Sequence, residues 1–199
     1  MATAVGKVGP ARLTLADVAL EAGLTPGAIA QRFGSKRNLL LSFVRGSQPA
    51  GQFKAAYVNS PMEHPLDRLM EALLAICGAE LTAGPTAETF ANHLAFLHLD
   101  LADPEFRAVL VEQEHQLRQS IEECLSTALV QGYLAPTTNV LELTFALTAI
   151  RHGSQVSWAI HREVPLVDSL RRDLQTVLGP YRVTPAERVA RTIKPERKH

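Results

Sequence analysis

The stretch covering residues 13–40 restricts the fold of this 199-residue chain more than any other. Thr14 is a favourable N-cap for a first short helix, and Gly23 can take the left-handed conformation that ends it. Thr25 is a second N-cap, and Pro26 suits the first position of the helix that follows. Apolar residues recur at helical spacing in both segments. Two short helices joined by a tight glycine-containing turn predict a helix-turn-helix.

The second helix of this pair, predicted over residues 26–33, carries the expected function. In a helix-turn-helix, the second helix lies in the DNA major groove and its N-terminal residues face the bases. Here Ile29 and Phe33 would face inward. Ser35 can cap a third helix that runs to about Arg45.

The local sequence closely resembles the DNA-binding motif of the TetR family of transcriptional regulators. The resemblance is carried by Thr14, Asp17-Val18-Ala19, Ala22-Gly23-Leu24, Gly27, Phe33-Gly34-Ser35-Lys36, Leu39 and Leu40. Two positions depart from the family pattern. Ala30 stands where an aromatic residue is usual, and Arg32 stands where histidine or tyrosine is common. Arg32 would therefore replace a hydroxyl or imidazole contact to the DNA backbone with a charged contact.

The resemblance implies a double-stranded DNA operator as partner and assigns two kinds of contact. Phosphates would be held through caps, helix N-termini and charge by Thr14, Thr25, Arg32 and Lys36. The groove would be faced by Pro26, Gly27, Ala28 and Gln31. Gln31 alone among these has a side chain that can hydrogen-bond a base edge, and adenine is the usual partner of glutamine.

The distribution of charge agrees with a DNA-binding head on a different kind of body. The formal net charge is zero, but residues 1–60 carry seven Lys/Arg and two Asp/Glu. Residues 61–180 carry seven basic and sixteen acidic residues, and residues 181–199 carry six basic and two acidic ones. A basic segment attached to an acidic one is typical of a nucleic-acid-binding module joined to a second domain.

The chain divides into four predicted parts: a head over residues 1–45, a connector over 46–65, a body over 66–180 and a charged, disordered tail over 181–199. The TetR family begins with a full helix before the helix-turn-helix. Here only Ala2 to Val8 precedes Gly9-Pro10, so the first helix is predicted to be short or missing. Val18, Ile29, Phe33 and Leu40 would then be partly uncovered.

The fold class is predicted to be all-α, because helical spacing of apolar residues recurs through the body and no strand pattern appears. The predicted body helices span residues 66–81, 87–101, 103–131, 139–160 and 165–178. Asp103 caps the third of these and Pro104 takes its first position. Thr137 or Thr138 would cap the helix that follows.

The helix over residues 139–160 predicts a homodimer. It is apolar nearly all round in its first half, so one side can face the body and another needs a partner. Gly153 would let a second helix approach closely. The resemblance implies that this helix and 165–178 pair with their copies in a four-helix interface, formed by Phe145, Gly153, Trp158, Leu170 and Leu174. A central helix of a monomer is the alternative.

The body is also predicted to enclose a pocket for an unknown, largely apolar small-molecule effector, because ligand sites are mostly apolar with a few placed polar groups. The candidate polar groups are His93, His98, Gln116, Arg151, His152 and Gln155. Each can instead lie at a helix edge or in the dimer interface. The resemblance implies an effector site in this part of the chain without assigning its residues.

Catalytic and metal-binding patterns are not found in the sequence, so no cofactor, metal or enzyme activity is predicted. The Glu112/His115 pair is single, whereas a carboxylate-bridged di-iron bundle needs two such pairs. Cys77 and Cys124 are predicted to be buried thiols. A ligand-responsive dimeric repressor is therefore the leading interpretation. The alternative is a small helical enzyme or carrier that uses the pocket of the body.

No apolar run in the sequence reaches the roughly 18 residues that a membrane span needs, and no signal peptide opens the chain. The sequence therefore predicts a cytoplasmic protein that does not insert into membranes.

Overall fold

Within the described residues, short α-helices form the N-terminal region and mostly longer ones follow. The computed structural model describes residues 9–80, 91–92, 102–186 and 188, with the backbone alone for 78–80. The helices are α1 (Leu15–Ala22), α2 (Pro26–Phe33), α3 (Lys36–Gly46), α4 (Pro49–Val58), α5 (Pro65–Glu80), α6 (Pro104–Val130), α7 (Val140–His161) and α8 (Leu166–Leu178). A 3-10 turn, Gly179–Tyr181, follows. Within these residues no strand forms, which confirms the all-α prediction.

Five of the described helices, α1, α2, α3, α6 and α7, follow a residue whose side chain caps the first turn. The side chains of Thr14, Thr25, Ser35 and Asp103 each accept a backbone N–H of the first turn that follows, as predicted. The cap of α7 differs from the prediction. Asn139 accepts the N–H of Glu142 at 3.2 Å, whereas Thr138 is buried ahead of the helix.

The head has its own apolar core, and one member of that core comes from the body. Leu13, Val18 and Ile29 pack with the buried leucines of α3 and with Phe106 of α6. Val18, Ile29 and Leu40 are therefore buried and only Phe33 stays half-exposed, so the expectation that all four are partly uncovered is wrong for three. Residues 9–12 are helical, while residues 2–8 lie outside the described part.

The body core is formed mainly by α5, α6, α7 and α8, and it also includes part of the predicted connector. Residues 49–58 form the complete helix α4, whose Phe53 is fully buried against the body. The sequence predicted a connector here, because Pro49 and Gly51 are typical of loops. Pro49 occupies the first helical position, where its missing N–H costs nothing. The connector is therefore part of the body.

The start of the predicted disordered tail is also part of the body. Arg182 pairs with Leu134 in an isolated antiparallel bridge, and the Val183 N–H donates to the Tyr133 carbonyl at 3.0 Å. Val183 is buried, and Arg182 donates to Asp67 at 2.8 Å. The predicted tail boundary at Tyr181 is therefore too early. Residues 187 and 189–199 lie outside the described part.

Candidate DNA-contacting face and its connection to the body

Helix α2 presents one face to solvent and buries the other. Ile29 is buried in the head core and is the only fully buried residue of this helix. The predicted groove-facing residues are all exposed, namely Pro26, Gly27, Ala28 and Gln31. All four are therefore accessible, with Pro26, Gly27 and Ala28 in the first turn of the helix and Gln31 in the turn that follows.

The turn before α2 is fixed by backbone hydrogen bonds. Gly23 has a φ of 65°, a conformation that strains residues with a Cβ atom. The N–H of Leu24 donates to the carbonyl of Ala19 at 2.8 Å. Thr25 then accepts the N–H of Ala28 on its hydroxyl oxygen at 3.2 Å. Its hydroxyl proton is not used in that bond, so it can be donated to a phosphate.

Thr14 differs from Thr25 because its hydroxyl proton already has a partner. The hydroxyl accepts the Asp17 N–H at 3.2 Å and the Thr14 N–H donates to Asp17 Oδ2 at 2.8 Å, and these two bonds form a capping box. The hydroxyl also donates to Asp17 Oδ2 at 2.7 Å. The hydrogen bonds from Thr14 lower the pKa of the Asp17 carboxyl. Thr14 therefore anchors the start of α1, and a phosphate contact through its hydroxyl requires this bond to be exchanged.

The two predicted cationic contacts are also placed differently. Arg32 is exposed, and its guanidinium lies 5.5 Å from the centre of the Phe33 ring. Lys36 is half-buried, and its Nζ donates to the Ala11 carbonyl at 2.7 Å. An ammonium group has three donors, so Lys36 can hold the segment before α1 and still donate to a phosphate.

Charged side chains connect the head to the first turn of α6. Arg37 donates to both carboxylate oxygens of Asp103, at 2.8 and 2.9 Å, and to Glu105 at 3.0 Å. Arg45 donates to the other oxygen of Glu105 at 2.7 Å. The hydrogen bond from Arg37 lowers the pKa of Asp103, and the two carboxylates raise the pKa of Arg37. These pairs fix α3 against the start of α6.

A second connection lies where α3 gives way to α4. The Gln113 side-chain amide of α6 donates to the carbonyls of Val44 and Ser47, at 2.6 and 2.7 Å. Beside it is an open cleft of about 620 Å³ between the end of α3, the start of α4 and α6. It is lined by Arg45, Ser47, Gln48, Gly51, Glu105, Ala108, Val109, Glu112, Gln113 and Gln116. Neither Phe106 nor Gln113 was identified from the sequence.

The structure describes four of the six predicted pocket residues, and these four differ in burial. Gln116 is exposed in the cleft beside α3 and donates to Glu112 at 2.6 Å. Arg151 and Gln155 are buried on α7, while His152 is exposed. His93 and His98 lie outside the described residues.

The predicted dimer residues divide into surface and core. Phe145 is 48% exposed, and the space around Gly153 is open to at least 4 Å. Trp158 is buried and donates to the Val164 carbonyl at 2.9 Å, which closes the turn between α7 and α8. The side chains of Leu170 and Leu174 are buried in the core of their own chain. These two leucines were expected in the dimer interface, and the structure corrects this, because α8 turns their side chains toward the core.

Further apolar side chains extend the exposed surface around Phe145. Leu141, Phe145, Val156, Ile160, Val164 and Val167 are all between 41% and 70% exposed. The spacing of four residues between Leu141 and Phe145, and again between Val156 and Ile160, was the available sequence signal. We call these six residues the apolar stripe.

Both cysteines are free, and burial raises the pKa of the half-buried Cys124 thiol to about 11. Among the described residues, no group of three or more histidine, cysteine, aspartate or glutamate side chains is placed to hold a metal ion. Within the same residues, no helix combines the length and apolar character that crossing a bilayer requires.

Comparisons with known proteins agree on the type of head and on the fold. Residues 4–43 match the family model of bacterial regulatory proteins of the tetR family. The chain is 22% identical over 169 residues to the HTH-type transcriptional regulator HbdR of Aromatoleum sp. (strain CIB), with 84% of this chain and 71% of the relative covered.

Solved structures with the same fold cover nearly the whole chain. A TetR transcription regulator from Haloarcula marismortui is 16% identical, covers 92% of this chain and 95% of its own, and superposes with a TM-score of 0.72. A transcriptional regulator from Saccharomonospora viridis in complex with choline is 19% identical to this chain and has a TM-score of 0.71. The match covers 90% of this chain and 92% of the other.

Proposed function

Because this chain belongs to the TetR family of transcriptional regulators, we propose that it is a dimeric, ligand-responsive repressor that binds a palindromic operator. The exposed N-terminal half of α2, held by a buried Ile29, carries this proposal. The alternative of a small helical enzyme or carrier is not favoured, because no described feature of the body calls for catalysis. A repressor of chromosomal genes would act in the cytoplasm.

On DNA, the exposed face of α2 enters the major groove and Gln31 reads a base edge, with adenine as its expected partner. Pro26, Gly27 and Ala28 form a small surface that lets the helix approach the bases closely. Thr25 and Arg32 hold phosphates on either side. Lys36 adds a third phosphate contact while its bond to Ala11 keeps the head closed.

A second copy of the chain is the proposed partner of the apolar stripe. Exposed apolar surface of this extent on neighbouring helices is typical of an interaction site. Gly153 lies between the two halves of the stripe on α7 and lets a partner helix come close. A twofold dimer presents two recognition helices to half-sites about 34 Å apart, which is why a palindrome is expected.

The effector binds in the body and shifts the heads, provided that it binds the shifted state more tightly than the DNA-binding state. The choline complex from Saccharomonospora viridis is one example of a small molecule held by this fold. The mixed polar and apolar interior of this chain supports the same general use. Arg151 and Gln155 are the described candidates that lie inside it.

An electrophoretic mobility shift assay with DNA from beside the protein's own gene tests the proposal. Gly27→Glu places a carboxylate on the groove-facing surface, where the structure has room for a Cβ atom. We expect the variant to lose affinity by at least about 100-fold through repulsion from the phosphates. Ala75→Glu makes the same charge change on an exposed position of α5 and should bind normally. Equal binding by both variants would remove α2 from the interface.

Sedimentation tests the dimer separately. Phe145→Glu and Gly153→Phe should each give monomers or aggregates, because a charge or a bulky ring in the stripe is buried against the partner. Val58→Glu, at a 73% exposed position of α4 away from the stripe, is the matched control. An unchanged dimer in both stripe variants would rule out this interface.

A further inference from the structure

The inner face of α7 carries polar side chains where an apolar core is expected. Thr144, Thr148, Arg151 and Gln155 are all buried, and their spacing of four, three and four residues puts them on one helix face. The two threonines satisfy their hydroxyls on carbonyls of the preceding turn. The side chains of Arg151 and Gln155 are longer than those of the threonines, so the interior next to α7 is polar along this face.

Arg151 is the most heavily buried charge described in the body, with a side chain that is only 2% exposed. Its guanidinium donates to Glu114 Oε1 on α6 at 3.1 Å and contacts His152 Nε2 at 2.6 Å. Burial raises the pKa of Glu114, but His152, Arg151 and Arg118 together leave it below its usual range. Glu114 is therefore an ionised carboxylate beside a buried cation.

Stability alone is a poor explanation for this arrangement. A buried ion pair recovers the cost of desolvation only with favourable geometry, and well-packed apolar residues of similar volume often stabilise as much or more. Glu114 is also reachable, because its side chain is 21% exposed. The pair lies one helical turn from Leu117 on α6 and one turn from Leu147 on α7, both fully buried. The charged pair thus adjoins the apolar core of the body.

We propose that the effector is an amphipathic carboxylate, whose carboxylate group replaces Glu114 on Arg151 while its apolar part packs against the adjoining core. The proposal rests on the function proposed above and names the chemistry of its effector site. The position already accommodates a carboxylate, and planar guanidinium groups match carboxylates well.

The same exchange gives the effector a route to the head. Glu114 follows Gln113, whose side chain holds the carbonyls of Val44 and Ser47 at the junction of α3 and α4. Phe106 lies eight residues before Glu114, about 12 Å along α6, inside the head core. When Glu114 leaves Arg151, this part of α6 loses its ion pair to α7 and can shift together with α3.

Chemical rescue of Glu114→Ala tests the site even while the natural effector is unidentified. The variant removes the Glu114 carboxylate from Arg151, so sodium acetate should take its place and raise the melting temperature, with half-saturation in the millimolar range. Acetamide with sodium chloride at equal ionic strength should not. Arg151→Met/Glu114→Ala, which removes both charges, should fold and lose the acetate response. If acetate and acetamide act alike, or if acetate acts equally on the double variant, the proposal is wrong.

Wild-type protein provides the second test, with octanoate and octanamide as matched probes. Trp158 is the only tryptophan and lies seven residues after Arg151, about 10 Å along α7, so its fluorescence reports on binding. We expect octanoate to bind at least tenfold more tightly than octanamide in the wild type, and the difference to vanish in Arg151→Met. Equal binding of the two probes, or no response to either, would overturn the proposal.

These outcomes are separable from the fate of the proposed function. Mobility shifts test operator binding without any effector, whereas acetate rescue and probe binding need no DNA. If the protein binds its operator but shows no carboxylate preference, the proposed regulator function stands and the proposed effector class is rejected. If it prefers carboxylates but binds no DNA, the effector class stands and the regulator function is rejected.

Discussion

The head and the body are built from the same kind of helix, but they depend on each other unequally. The body packs α4 to α8 around a core to which the described head contributes nothing. The head core is smaller and includes Phe106 from α6, together with ion pairs from Arg37 and Arg45 to the same turn. Damage to the body should therefore reach the head, while damage to the head should leave the body intact.

The largest test of this inequality is Phe106→Ala. Removing a fully buried phenylalanine should cost about 3–5 kcal/mol. The effect should be concentrated in residues 15–46, although the substitution is in α6. Amide hydrogen exchange should show residues 13–45 exchanging faster than 103–131 already in the wild type, and much faster in the variant. Val111→Ala, at a 59% exposed position of the same helix, is the control. Equal loss of protection in both segments would contradict the comparison.

A smaller effect is expected from Gln31→Ala, which changes only the proposed DNA-contacting side of the head. Removing this side chain from the base edge should cost about 1–3 kcal/mol at one base pair per half-site and relax the preference there. Thermal unfolding should be unchanged because Gln31 is exposed. Titrations with operators altered at single positions would measure this. A uniform loss over all operators would show that Gln31 reads no base.

Lys36→Ala should behave in the opposite way. We expect affinity to fall about equally for all sequences, and the dependence of log K on log salt to become shallower by about 1 for each phosphate that is no longer neutralised. The variant also releases the Ala11 carbonyl, so exchange at residues 9–13 should rise slightly. Salt titrations of the wild type and the variant on the same operator provide the comparison. An unchanged slope would mean that Lys36 serves only to close the head.

The smallest expected effect is on the body, at the attachment of the C-terminal segment. His64 Nδ1 accepts the Leu66 N–H at 3.2 Å and lies 3.3 Å from Arg182. Burial and the charge of Arg182 lower the pKa of His64. The neutral imidazole is thus favoured in the folded state, and its contribution to stability is complete above about pH 6.5 and lost as the pH falls below it.

Protection factors, corrected for intrinsic exchange, should therefore fall at Val183 on acidification while α6 and the head keep theirs. The Val183 N–H is a direct probe because it donates to the Tyr133 carbonyl. His64→Gln cannot titrate in this range and should remove the dependence. If protection at Val183 fell with pH along the same curve in the wild type and in the variant, His64 would not be the titrating group.

Local chemistry explains what the sequence could predict, and distant contacts explain what it could not. The caps at Thr14, Thr25 and Asp103 depend on bonds to residues within three positions, so they were predictable. At the start of α7, three consecutive residues could act as caps. Asn139 is used because the helix register that buries Leu143 and Leu147 begins immediately after it.

The missed features join residues far apart in the chain. The bridge between Leu134 and Arg182 and the entry of Phe106 into the head core depend on how helices are arranged in space. The same limit applies to the candidate sites. The exposed face of α2 followed from its own periodicity, whereas the inward turn of Leu170 and Leu174 depended on how α8 meets α5 and α7.

The position of Phe106 also sets a rule for building hybrid regulators from this protein. A graft cut at the end of α3 would transfer the recognition surface but leave behind one member of the core that supports it. A working hybrid must keep an aromatic side chain at the corresponding point of the recipient's long helix, together with carboxylates able to pair with Arg37 and Arg45. Compatible recipients can therefore be chosen by inspecting the first three turns of that helix, which also contain the Gln113 contact to the Val44 carbonyl.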